Sequence, residues 1–239
     1  MSSPGEFYRS LPPISKAYGT ACFLATAAFH LGLYSPVNIA LLYEEVFYRF
    51  QVWRLFANFF FLGKFSINFG IRLLMIVRYG VQLEKGAFER RTADFVWMMI
   101  FGAFALLVLS AIPFFWTPFL AVSLVFMLVY VWSREFPNTQ INIYGLFAVK
   151  AFYLPWMMLG LDVIFGSSIV PDLLGIIAGH LYYFLTVLHP LAEINWLQDG
   201  ELEPPQSVVA SLLLNKRAVQ EFLGEDPTDL MGRCNKGRG

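Results

Sequence analysis

IVPDLLGIIAGHLYYFLTVLHP, residues Ile169 to Pro190, decides how the chain is read. The stretch is apolar enough and long enough to cross a bilayer, yet it opens on Asp172. Gly175 and Gly179 stand four residues apart, which on a helix exposes two bare backbone patches on one face. A second helix can then approach closely, and in lipid such packing must supply what the hydrophobic effect supplies in water. Taken alone, the pair is a packing seam; a functional reading must come from what surrounds it.

Composition places the whole chain in the same setting. Of 239 residues 57% are apolar and 18% aromatic, and only 14% are charged. A soluble domain carries roughly a quarter charged residues. Net charge is zero, which gives no support to nucleic-acid binding. Cys22 falls in an apolar run and Cys234 in the tail, so neither a disulfide framework nor a metal site is expected, and no cofactor. The polar start, with Pro12 and Pro13, precedes an apolar run that has no small-residue cleavage site, so that run is expected to stay as an anchor.

Six spans can be laid out in order. Ala17 to Leu33 is the first, at the short end for a hydrocarbon layer of ~30 Å. Ile39, Leu42, Tyr43, Val46, Phe47, Phe50 and Trp53 then recur at helical spacing, with Glu44, Glu45 and Arg49 opposite. That pattern predicts one amphipathic helix lying in the headgroup layer and ending at Trp53-Arg54. Leu55 to Phe61 reads as a partly immersed continuation. The second span covers Ser66 to Leu83, the third Phe95 to Ile112, and the fourth Phe119 to Trp132. The fifth runs from Ile143 to Phe165 with Pro155 expected to kink it; Gly166 to Pro171 then turns the chain into the sixth, which ends at about Leu188. Arg9, Lys16, Lys85, Arg90, Arg91, Arg134 and the tail cations Lys216, Arg217, Arg233, Lys236 and Arg238 fall on one side. Arg49, Arg54 and Lys64 fall on the other, so both termini are expected in the cytosol. The polar tail contains SVVASLLLNKRAVQEFL, which can form one short helix, and ends in a segment of disordered composition.

Charged residues inside the spans are candidate site residues. Arg72 falls near the middle of the second span, where a lone arginine costs at least ~2.5 kcal/mol and needs a partner, water or an interfacial position. Asp172 and Asp162 are the acidic residues near the sixth span. Trp53-Arg54 can pin the loop, since indole favours the interface and guanidinium holds phosphate or backbone carbonyls.

Trp53-Arg54, RYGVQLEKGAFERRTADF (Arg78 to Phe95), FYLPWMMLG (Phe152 to Gly160) and GIIAGHLYYFL (Gly175 to Leu185) together resemble the derlins. The resemblance implies an all-α, polytopic, rhomboid-like bundle of six transmembrane helices over residues 1–190, followed by a partly disordered cytosolic tail over 191–239. It implies a multi-pass protein of the endoplasmic reticulum membrane that acts in endoplasmic-reticulum-associated degradation, protein quality control and the unfolded protein response. Its expected task is retrotranslocation of misfolded proteins to the cytosol, by thinning the bilayer, by forming a protein-conducting channel, or both. The partners so implied are misfolded substrates, membrane lipid, a ubiquitin ligase complex, an AAA ATPase and further copies of the chain. FLGED (Phe222 to Asp226) is only a weak echo of the ATPase-docking tail motif of several derlins, so that contact is expected to be indirect.

The rival reading is an active rhomboid-type intramembrane serine protease. Active rhomboids use a serine in a GxSG turn at the start of span four and a histidine on span six. Here WTPFLAVSLVF has no GxSG, and Ser123 lacks the flanking glycines of an oxyanion pocket. One turn before Gly175, where the rhomboid histidine would lie, stands Asp172; His180 is further along the helix. A hydroxyl without a base is a poor nucleophile at neutral pH. The expectation is a pseudoprotease with no catalytic residues, whose functional motif is Trp53, Arg54, Gly175 and Gly179. Alignment on Glu84 sets Arg72 at a pocket-lining position, which implies an intramembrane ion pair with Asp172, or with Asp162 in its place.

Overall fold

The computed structural model describes residues 4–143 and 147–188. The tail, with Cys234, Phe222 to Asp226 and the expected short helix, lies outside the described residues. After a short α1 (Pro4–Arg9), α2 (Pro13–His30) begins before the expected Ala17. The reason is Pro13, which occupies the first helical position, where its missing N–H is not needed and its fixed φ suits the helix.

The interfacial segment is two helices, not one. α3 (Tyr43–Arg49) stops at Phe50, whose φ of 53° is left-handed, and α4 (Trp53–Ala57) starts afresh. Trp53-Arg54 therefore opens a helix, in correction of the expected termination there. α5 (Ile67–Met75), a π turn (Ile76–Gly80) and α6 (Val81–Lys85) make one continuous rod over the expected second span. Ser66 caps it, its hydroxyl accepting from the Phe69 N–H.

α7 (Thr92–Ser110) and α8 (Ala121–Glu135) follow, joined by a short turn through Pro113–Phe115. Every residue of α8 from Ala121 to Ser133 is buried, so this helix is the axis of the bundle. The fifth expected span is the largest departure. Its first part is instead a hairpin, β1 (Gln140–Ile143) with β2 (Phe147–Lys150), antiparallel with Gln140 opposite Lys150. A 3₁₀ turn (Ala151–Tyr153) follows, leaving α9 (Leu154–Ile164) only 11 residues long. Pro155 lies in the first turn of α9 and starts the helix where a kink was expected. α10 (Ile169–Tyr183) starts inside the expected turn, with Pro171 in its first turn, and runs on through a π turn (Phe184–Leu188) to the expected end.

Apart from the hairpin the fold is helical. Among the described residues two helices are long and apolar enough to cross a membrane, Thr92–Ser110 and Ile169–Thr186. The apolar segment Ala151–Ile164 is shorter.

Candidate functional site

Three sets of residues are built around α8. The first is the seam between α8 and α10. A Cβ at Gly175 would run into the Ser123 carbonyl oxygen and lie 2.5 Å from the Phe126 Cβ. A Cβ at Gly179 would lie 2.8–3.0 Å from Tyr130. The two glycines therefore let the helix backbones meet with no side chain between them, as their spacing implies. At the next residue, the Tyr130 hydroxyl and His180 Nδ1 share a hydrogen bond of 2.7 Å across the same seam.

The second set is the loop clamp. Arg54 is 6% exposed, and its guanidinium donates to the Val37 carbonyl, to the Ala40 carbonyl at 2.9 Å and to Gln51 Oε1 at 2.7 Å. Of the two partners open to it in the sequence, it takes backbone carbonyls. Trp53 is 55% exposed and contributes no such clamp. Neighbouring contacts tie the loop to the bundle: the Leu41 N–H donates to the Pro118 carbonyl, Trp116 Nε1 to the Leu41 carbonyl, and the Tyr43 hydroxyl to the Leu107 carbonyl.

The third set is a polar cluster between α5, α9 and the start of α10. The Arg72 guanidinium lies 3.2 Å from Asp162 Oδ2, and it also donates to the Leu62 carbonyl at 3.3 Å and the Ser167 hydroxyl at 3.4 Å. Asn68 donates to the same Ser167 hydroxyl at 2.8 Å. The ion pair thus forms with Asp162, in correction of the Arg72–Asp172 pairing. The turn between α9 and α10 explains the choice. The Ser167 N–H closes on the Asp162 carbonyl at 2.8 Å, holding both side chains toward α5. Asp172, three residues before Gly175, lies on the face that α10 turns to α8. It is fully buried, and neither carboxylate oxygen has a hydrogen-bond partner.

Ser123 lies beside Gly175 at the start of α8, its hydroxyl buried and without a hydrogen-bond partner. The imidazole of α10 is engaged with Tyr130 instead.

Comparison with known proteins places this architecture. Residues 11–198 match the Der1-like family. The chain belongs to the Der1-like family. It is 78% identical over 192 residues to Derlin-1 of Arabidopsis thaliana, across 80% of this chain and 72% of that one. To Derlin-1 of Oryza sativa subsp. japonica it is 71% identical, across 80% and 79%. A probable derlin-2 homolog of Dictyostelium discoideum is 37% identical over 252 residues, across 96% of this chain and 99% of that one. With its apolar helices, this member of the Der1-like family is a membrane protein.

The structure adds residues to this derlin's polar framework that spacing alone did not single out. Glu84 is buried and accepts from the Ile14 N–H at 3.0 Å, the Ser15 N–H at 2.8 Å and the Ser15 hydroxyl at 2.7 Å. It caps the start of α2 from the end of α6, satisfying N–H groups that have no partner within their own helix. Asn58, also fully buried, donates to the Arg54 and Leu55 carbonyls and secures the helix that carries the clamp. Ser167 joins Arg72 to Asn68. A serine in a Gly-Ser-Ser turn reads as loop chemistry, so no sequence signal marked it.

Proposed function

We propose that this derlin is a non-catalytic component of endoplasmic-reticulum-associated degradation that moves misfolded proteins from the lumen or membrane to the cytosol. In this reading residues 1–190 form a six-span bundle in the endoplasmic reticulum membrane, both termini are cytosolic, and residues 191–239 are a cytosolic tail. The observation that carries the reading is a short wall beside buried charge. The 11 residues of α9 rise ~16 Å, against a hydrocarbon core of ~30 Å. α9 itself carries Asp162, which Arg72 of α5 pairs, and the following helix α10 buries Asp172. A short span and intramembrane polar groups both favour local thinning and hydration of the bilayer, which lowers the cost of passing polar chain through it. The clamp at Arg54 and the seam at Gly175 and Gly179 hold the frame around that region.

No bond is broken in this mechanism. Ser123 has no base at its hydroxyl, and His180 is bonded to Tyr130. The work of extraction falls to an AAA ATPase, recruited indirectly through a ubiquitin ligase complex, with further copies of the chain available to form a pore. The test is clearance of a misfolded lumenal reporter in cells lacking the endogenous protein, with and without this chain restored, alongside labelling of the purified chain by a fluorophosphonate probe. The expected result is faster clearance with no labelling of Ser123. Clearance that ignores the chain, or a labelled Ser123, sinks the reading.

A further inference from the structure

Arg134, in the last turn of α8, is a cation without an acid. Its guanidinium carbon lies 4.7 Å from the centre of the Tyr130 ring and 4.1 Å from the centre of the Phe152 ring. No ion pair or hydrogen bond joins it to any of the described residues, and its buried Nε has no partner. A cation in a last turn commonly bonds the free carbonyls there and complements the helix dipole. Arg134 is turned onto the two rings instead. Asp94, at the start of α7, lies 3.7 Å from Arg91. Both rings are fixed in place. The Tyr130 hydroxyl is bonded to His180 across the α8–α10 seam. Phe152 follows the hairpin, where its N–H donates to the Pro137 carbonyl at 3.4 Å and the Ala151 N–H donates to the Thr139 carbonyl at 2.8 Å. The hairpin that replaces the start of the expected fifth span thus folds an aromatic ring over Arg134.

A guanidinium held flat between rings keeps its charge and its orientation, and only its edge is left to bind. Arg134 as a whole is partly buried, so the outer edge is the part that meets a ligand. That edge carries parallel N–H groups, which match two oxygens of a phosphate or carboxylate. Depth selects between them. Phe152, Tyr153 and Trp156 are all exposed, and in a membrane protein a run of exposed aromatics marks the headgroup level. Lys150, exposed and two residues before Phe152, adds a second cation to the same strap. The abundant anion at that level is lipid phosphate, and basic pockets among membrane helices bind such headgroups. We propose that Arg134, held between Tyr130 and Phe152, binds the headgroup phosphate of an anionic phospholipid in the leaflet that meets the C-terminal end of α8. A zwitterionic lipid is the weaker ligand, because its own ammonium competes for the phosphate and is repelled by the site. The bound headgroup fixes the bilayer surface at the start of α9. This inference stands apart from the dislocation reading.

The experiment measures, by native mass spectrometry of the purified full chain in detergent, retention of phosphatidylinositol against phosphatidylcholine of the same acyl chains. A charge-assisted contact of this kind is expected to favour phosphatidylinositol about tenfold. Arg134→Gln is expected to bring the ratio to about one, while Arg134→Lys, a point charge without the fork, keeps a preference of about threefold. Phe152→Leu leaves the charge and removes one ring, and is expected to lower the ratio about threefold. Equal retention of the two lipids by the wild-type chain, a preference that survives Arg134→Gln, or a ratio unchanged in Phe152→Leu overturns the proposal. Glycerophosphoinositol, the same headgroup without acyl chains, is added as a competitor at equal concentration. Persistence of the bound lipid supports a membrane source, and full displacement makes the ligand a soluble phosphate and overturns the lipid site. Should Arg134→Gln fail to accumulate, the native chain is irradiated with phosphatidylinositol carrying a diazirine on its headgroup. Adducts concentrated on Lys150–Trp156 support the site, and adducts spread evenly over the exposed helices refute it.

Discussion

The junctions of α8 with α10 and of α5 with α9 are held by opposite means. At the first, glycines bring two backbones together, and a single added carbon at Gly175 meets main-chain atoms. At the second, two helices with little packing between them are spanned by an ion pair at 3.2 Å and a hydrogen bond at 2.8 Å. Main-chain contact has no slack, because neither backbone can move without carrying its helix along. A polar bridge made by long side chains tolerates displacement, and its worth depends on what else is near to pair with. The molecule therefore has a stiff axis through α8 and α10 and a yielding wall at α5 and α9.

The comparison is broken most severely by taking one partner from the yielding wall. Asp162→Ala leaves the partly buried Arg72 without its anion, and the expected loss is about 3 kcal/mol in detergent unfolding. Replacing both members, Arg72→Met with Asp162→Leu, is expected to return most of that stability, since the desolvation cost disappears with the charges. A double-mutant cycle then measures the bridge itself. Close behind comes the stiff axis: Gly175→Val forces α10 away from Ser123 and Phe126, for about 3 kcal/mol and a visible drop in steady-state level. If Gly175→Val accumulates and melts like wild type, close packing at the seam is not what holds α8 to α10.

Arg54→Met sharpens the contrast from outside both junctions. It removes three hydrogen bonds in the clamp and is expected to cost about 2 kcal/mol, read best as faster proteolysis of the Val37–Ala40 segment while the bundle persists. The smallest effect belongs to Tyr130→Phe. It deletes one hydrogen bond to His180 from a seam that glycine packing already secures, so about 1 kcal/mol is expected. A larger loss would mean that the polar contact, and not the backbone approach, sustains α8 against α10.

How much of this could be read in advance differs between residues. Gly175 and Gly179 were legible because a helical period fixes which positions share a face, and a missing side chain on that face has one common use. Arg54 was legible as a clamp because guanidinium in an apolar loop must find oxygen, although Trp53 beside it turned out to face outward. The hairpin at Gln140–Lys150 was not legible. Its apolar residues run on into those of α9, and an apolar run does not declare strand or helix by period alone. Pro155 misled for a related reason, because a proline breaks a helix or begins one according to where the helix starts.

What residue order determined by itself was the set of apolar segments, their rough ends and the presence of charges that could not be left bare in lipid. These follow from local period, from composition and from the cost of burying charge, none of which needs a partner element to be known. Which carboxylate Arg72 takes, which oxygens Arg54 holds, and that Glu84 caps α2 were decided only in three dimensions. Each of those contacts joins groups distant in sequence through turns whose geometry is set by packing against α8. A short-range pattern carries no record of that distance or direction, and so the choice between Asp162 and Asp172 fell to the α9–α10 turn.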